Sequence, residues 1–255
     1  MKKVTLSIIA LLFFITAMAQ EETTTEAKPK DKPVRAPFQS GYLIDNQTTF
    51  IPSKNTLEYV IQHKFGEFGN GFSDLFGIYS PGANIRMGMN YTILNNVQVG
   101  YGLTRLNMYS DFNVKWTILE QTRNNTIPVA VGIYANMAID GRNEKDFGIE
   151  YEFSQRYSYF TQLIVGRKFN DWLSIQANTS FTHYNIVSDS LMNHDVISVG
   201  FNGRAQFSPQ SSILFQYDIP LKIQAISEHR EFTNAAKPNF GIGWEIATST
   251  HAFHI

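Results

Sequence analysis

Stretch after stretch of about ten residues in this chain alternates apolar with polar, and a period of two is the signature of β-strand. The clearest stretch sets Ala83, Ile85, Met87, Met89, Tyr91 and Ile93 on one parity and Asn84, Arg86, Gly88, Asn90 and Thr92 on the other. Strand side chains point alternately to opposite faces, whereas a helix would repeat every 3.6 residues. Each stretch therefore carries one greasy face and one wet face.

Ten full strands and the start of an eleventh are predicted. They run Thr56 to Phe65, Ala83 to Ile93, Val97 to Thr104, Phe112 to Ile118, Ile127 to Ala135, Tyr157 to Val165, Leu173 to Thr182, Ile197 to Gln206, Ile213 to Ile219 and Phe240 to Ile246, with the last beginning at Ala252. Phe160 and Ile164 blur the alternation of the sixth. Tight-turn compositions join some neighbours, at Leu94-Asn95-Asn96, Phe169-Asn170-Asp171 and Ser208-Pro209-Gln210-Ser211. Longer polar segments fall near 67–82, 140–154, 185–194 and 222–237. Short turns at one end and long loops at the other mark outer-membrane barrels, and only Met108 to Ser110 is short where a long loop is expected. A soluble sandwich would use strands of about five or six residues, while about ten are needed to cross a bilayer at a tilt. The expected fold is all-β, an antiparallel up-and-down transmembrane β-barrel with lipid outside and water inside.

Residues 1–19 read as a signal peptide, with Lys2 and Lys3, an apolar stretch from Val4 to Met18, and Ala17-Met18-Ala19 as cleavage site. Residues 20–37 are polar and proline-bearing, which predicts a disordered periplasmic leader. Residues 38–52 are mixed, and a short plug and a helix both remain open for them. Residues 38–255 form the barrel domain. The chain has no cysteine, so neither a disulfide nor a lipoprotein anchor is available. Its mean hydropathy is only −0.19, as expected when half of each strand faces away from lipid. Twelve Tyr, twenty Phe and three Trp suit aromatic belts at two membrane interfaces. A net charge of −1 gives no basic excess for nucleic acid. These features place the protein in the bacterial outer membrane, with its N-terminus and short turns in the periplasm. Barrels of single bacterial chains close with an even strand number, so eleven strands with a short last one predict about twelve when complete and a missing C-terminal piece.

The parity places Glu58, Lys64, Arg86, Lys115, Arg204, Asp218 and Glu245 inside. Such charges can set ion selectivity in a pore or pair with one another to fill and prop the barrel. Seven inward glycines (88, 100, 102, 132, 200, 241 and 243) relieve crowding there. Catalysis is not expected: His183 and Ser180 fall on opposite faces of one strand, and His251 and His254 do likewise, which spoils both a triad and metal chelation. The acids Asp140, Glu144, Asp146, Glu150 and Glu152 lack the spacing of an EF-hand and read as a solvated loop. No cofactor or metal site is expected.

With the strands placed, several stretches resemble an uncharacterised outer-membrane β-barrel family of Bacteroidetes-type bacteria. They are Ser40 to Gly66, Asp74 to Tyr91, Asp111 to Arg123, Asn136 to Asp140, Arg167 to Gln176, Phe207 to Leu221 and Glu245 to Ile255. The resemblance implies fold and location and transfers no catalytic residue, and members of that family continue beyond the strand that begins at Ala252, in line with the missing C-terminal piece expected above. Three roles are carried forward: a channel or transporter for small solutes, a plugged accessory barrel serving an envelope partner, and, least favoured, a lipid-modifying enzyme.

Overall fold

The computed structural model describes residues 31–255 except 36, 67, 80–81, 188, 229–230 and 233. The signal peptide over 1–19 and most of the leader lie outside the described residues. Thirteen strands follow in order. Two are short, β1 (Tyr42–Leu43) and β2 (Asn46–Gln47), and pair only with each other. The rest build one sheet: β3 (Leu57–Lys64), β4 (Asn84–Leu94), β5 (Val97–Thr104), β6 (Ser110–Leu119), β7 (Ala130–Ile139), β8 (Tyr157–Lys168), β9 (Leu173–Tyr184), β10 (Asp195–Gln206), β11 (Ser211–Pro220), β12 (Asn239–Ala247) and β13 (Ala252–His254).

Every strand of this 11-stranded sheet pairs antiparallel with its neighbours in sequence, so the topology is a pure up-and-down meander. The sheet is not closed: β3 and β13 are its edges. The alternation placed all eleven strands, and the ends moved for local reasons. The fifth predicted strand begins at Ala130, not Ile127, because Ile127 and Thr122 close a turn (Thr122 N to Ile127 O, 2.9 Å). Pro128 then has no N–H to give the ladder. The fourth begins earlier, at Ser110, which brings Asp111 into it.

The outward parity is greasy and uncovered. Met89 is 56% exposed and Phe201 55%, and Leu57, Tyr59, Ile61, Tyr101, Phe112, Trp116, Ile242 and Trp244 are exposed too. The largest apolar patch on a soluble monomer is about 300–600 Å². A band that runs across the strands of a whole sheet exceeds that, and hydrocarbon is the solvent that satisfies it. On this face Phe215 lies across Gly203, its register partner, so the ring covers backbone that a side chain would otherwise shield.

The inward parity is polar and buried. Asn90, Thr92, Gln98, Lys115, Gln162, Gln176, Asn202, Arg204, Gln216 and Glu245 are all buried. Segment 38–52, a plug rather than a helix, with the hairpin β1–β2 at its centre, lies against Lys115, Gln162, Gln176 and Gln216, while Asn90, Gln98, Asn202, Arg204 and Glu245 meet other inward side chains. Phe38 and Leu43 pack there on Leu214, an inward residue of β11, with Ile44 and Phe50 against the same cluster.

Candidate functional site

The plug is held by side chains of the wall, and most of them bind its backbone. Gln216 on β11 accepts hydrogen bonds through Oε1 from the backbone N–H groups of Asp45 (2.9 Å) and Asn46 (3.1 Å). Gln162 on β8 accepts from Gln47 N at 3.1 Å and donates through Nε2 to Asn46 Oδ1 at 2.6 Å. Gln176 on β9 donates to Gln47 O at 2.7 Å, and Thr117 on β6 donates to Thr49 O at 2.7 Å. The three glutamines are at most 1% exposed. A two-residue strand pair leaves most of its backbone groups without ladder partners, and buried groups of that kind must be satisfied. The wall carboxamides do for this hairpin what further strands would do in a larger sheet.

Lys115 on β6 gathers the two ends of the plug. Its ammonium donates to Gly41 O at 3.0 Å and to Phe50 O at 3.4 Å, and lies 5.6 Å from the centre of the Tyr42 ring. At the hairpin tip, Asp45 pairs with Lys64 on β3 and accepts from Asn239 Nδ2 on β12 at 3.1 Å. Asn46 donates to Asp218 on β11 at 2.8 Å, while Gln216 Nε2 donates to the other oxygen of Asp218 at 2.6 Å. The plug thus touches both halves of the sheet.

Before the plug, the chain is fastened at the short-turn end. Pro33 bridges Thr122, Val34 N donates to Gln121 O at 2.9 Å, and Arg123 donates to Pro33 O at 3.0 Å. Gln121 is itself tied to Lys168 of β8 by two bonds of 2.7 and 2.9 Å. A cavity of about 180 Å³ lies under this fastening, lined by Pro33, Pro37, Phe50, Ile51, Thr117 and Gln121 among others.

The remaining inward charges form two further layers. Arg86 on β4 makes a two-pronged bond to Asp111 on β6, Nε to Oδ2 at 2.8 Å and Nη2 to Oδ1 at 2.6 Å, and Asn136 donates to the same carboxylate at 2.9 Å. The guanidinium lies against Gly88 and Gly102, which face each other in the register, and a Cβ at Gly102 would collide with it. Arg204 on β10 donates to Glu245 on β12 at 2.5 Å, and His254 on β13 reaches the other oxygen of Glu245 at 3.2 Å. Glu58 on β3 accepts from Asn90 (3.1 Å) and Gln98 (3.3 Å). The seven charges predicted inside are therefore distributed among partners of opposite charge, carboxamides and plug carbonyls. Asp111 is the inward acid that the sequence reading omitted, because its strand was begun one residue too late.

Outside the lumen, His183 Nδ1 lies 2.6 Å from Asp195 and its Nε2 lies 2.7 Å from Asn185, so both ring nitrogens are engaged without a hydroxyl. Loop 140–156 is more built than a solvated segment. Arg156 donates to the carbonyls of Asp140 and Arg142, each at 2.7 Å, and stacks 4.7 Å from the Phe147 ring. Asp140 is buried and paired with Arg142 at 2.7 Å. Among the described residues no group of three or more His, Cys, Asp or Glu side chains is placed to hold a metal ion.

A family model described as "Membrane bound beta barrel domain (DUF5777)" matches residues 38–255, which spans the plug and every strand of the sheet. No curated protein and no solved structure matches the chain.

Proposed function

We propose that this chain, which belongs to that family of membrane-bound β-barrel domains, is a bacterial outer-membrane barrel held shut by its own N-terminal segment and serving an envelope partner. One observation carries the reading: the polar wall spends its hydrogen bonds on residues 41–50. A resting pore would leave Lys115, Gln162, Gln176 and Gln216 to water and solute. Here they are buried, and their bonds end on plug backbone. Passage of a small solute would follow only after the plug moves.

Pro33 and Val34 are fastened at the end where most connections are short, which in this reading is the periplasmic end. A periplasmic partner that engages residues preceding Pro33 would act on the fastening at Gln121, Thr122 and Arg123. No catalytic role is assigned, since the rim histidine His183 has both nitrogens committed to Asp195 and Asn185.

The test is conductance in planar lipid bilayers. The full chain should insert and stay silent, while a variant lacking residues 33–52 should conduct in long-lived steps. Stable conductance by the full chain would overturn the reading. Silence of the deleted variant would too, provided its heat-dependent gel mobility shows that it has folded.

A further inference from the structure

The geometry points to the lumen wall as a polypeptide-binding site whose built-in occupant is the plug, with a short polypeptide segment as the ligand class. This rests on the plugged reading above and deepens it.

The wall reads backbone more than side chains. Seven of its contacts fall on the carbonyls of Gly41, Gln47, Thr49 and Phe50 and on the N–H groups of Asp45, Asn46 and Gln47, and its hydrogen bonds and ion pair to plug side chains are confined to Asp45 and Asn46 at the hairpin tip. Meanwhile two plug side-chain atoms, Gln47 Oε1 and Thr49 Oγ1, are buried and meet no hydrogen-bond partner among the described residues. A segment fixed for its side chains alone would not bury these two groups unanswered, since each costs free energy in the bound state. Backbone recognition of this kind accepts many sequences, because every residue except proline offers the same donor and acceptor.

Selectivity comes from two other features. Leu43 and Phe38 fill an apolar patch completed by Leu214, so a ligand needs apolar residues at those places. Lys115 collects two carbonyls from segment ends that return to the same point, so the ligand must double back within about ten residues. The turn at Ile44, which has φ of 57°, does this in the plug. Free ions and sugars supply neither feature, which leaves polypeptide.

The experiment uses the full chain with a site-specific protease sequence placed in the exposed connector 53–55. After cutting in the folded, lipid-bound state, a fluorescent synthetic peptide of residues 33–54 is added and its entry followed. The expected result is exchange of the resident fragment for the labelled one. Peptides carrying Gln47→Ala or Thr49→Val should bind within about threefold of the parent. Peptides N-methylated at residue 46 or 47, which keep every side chain but lose one N–H, should bind at least tenfold more weakly. A cut barrel that remains silent and never exchanges its fragment would overturn the binding site and leave the plugged barrel standing. Strong loss from the side-chain changes with none from N-methylation would also overturn it. Conductance by the uncut protein would remove the plugged reading itself.

Discussion

Changing Lys115 to Met removes an ammonium that is 3% exposed while keeping the length of the side chain. The bond to Gly41 O at 3.0 Å is charge-assisted and worth about 1.5–3 kcal/mol, whereas the one to Phe50 O at 3.4 Å is near the limit and adds little. Gly41 O keeps a second donor, Thr48 N at 2.9 Å, which softens its loss. Part of the remainder is returned, because a buried ammonium no longer has to be stripped of water. A net cost of about 2 kcal/mol to the seated plug corresponds to about 30-fold in its open-to-closed ratio. Single-channel recording should show the open time of Lys115→Met rising by that factor over the unaltered chain. Lys64→Met is the internal control: Lys64 also touches the plug, at Asp45, but both side chains are more than a third exposed. Such a pair is worth roughly 0–1 kcal/mol, so its effect should stay below about fivefold. If Lys115→Met is as silent as the parent while the deleted variant conducts, Lys115 does not hold the plug. If Lys64→Met opens equally, the argument from burial fails.

Asp111→Asn should cost the barrel about 3 kcal/mol by leaving the Arg86 guanidinium against Gly88 and Gly102 without its counter-charge, read as a lower urea midpoint for unfolding from lipid vesicles. Phe201→Arg, in the middle of β10 on the outward parity, should cost about 2–4 kcal/mol in the same assay. The adjacent inward change Asn202→Ser should leave lipid insertion intact. Arg156→Ala should free loop 140–156, raising its cleavage by added protease severalfold without altering conductance, because its bonds close the loop and touch no plug residue.

The strands were legible because a barrel strand is periodic in itself, and the greasy parity from Leu57 to Trp244 stands where the alternation put it. The plug was not legible as a plug. Residues 38–52 carry no period, and their partners lie up to 194 positions away, as Asn239 does from Asp45. A trace of it was present all the same. Leu214 and Ile164 are apolar on the wet parity and fully buried, and Leu214 receives Phe38 and Leu43. Such residues in a supposed water channel imply something greasy inside. Asp111 needed only one more residue of strand. Pro128 should have stopped the fifth strand from beginning at Ile127. The order of loop 140–156 depends on Arg156 reaching back across the loop, which composition does not encode.

The central claim is that hydrocarbon meets one parity of the sheet, while the other closes into a buried polar interior that the chain's own N-terminal segment helps to fill. Because the protein has no cysteine, single cysteines carrying a nitroxide can be placed in turn at Val199, Gly200, Phe201, Asn202, Arg204 and Ala205 on β10. Collision with oxygen, which concentrates in lipid, and with a water-soluble nickel reagent is then measured in vesicles. The account predicts high oxygen access at 199, 201 and 205, and low access to both reagents at 200, 202 and 204. Free access of nickel to the inward three, or no alternation with oxygen, would contradict it.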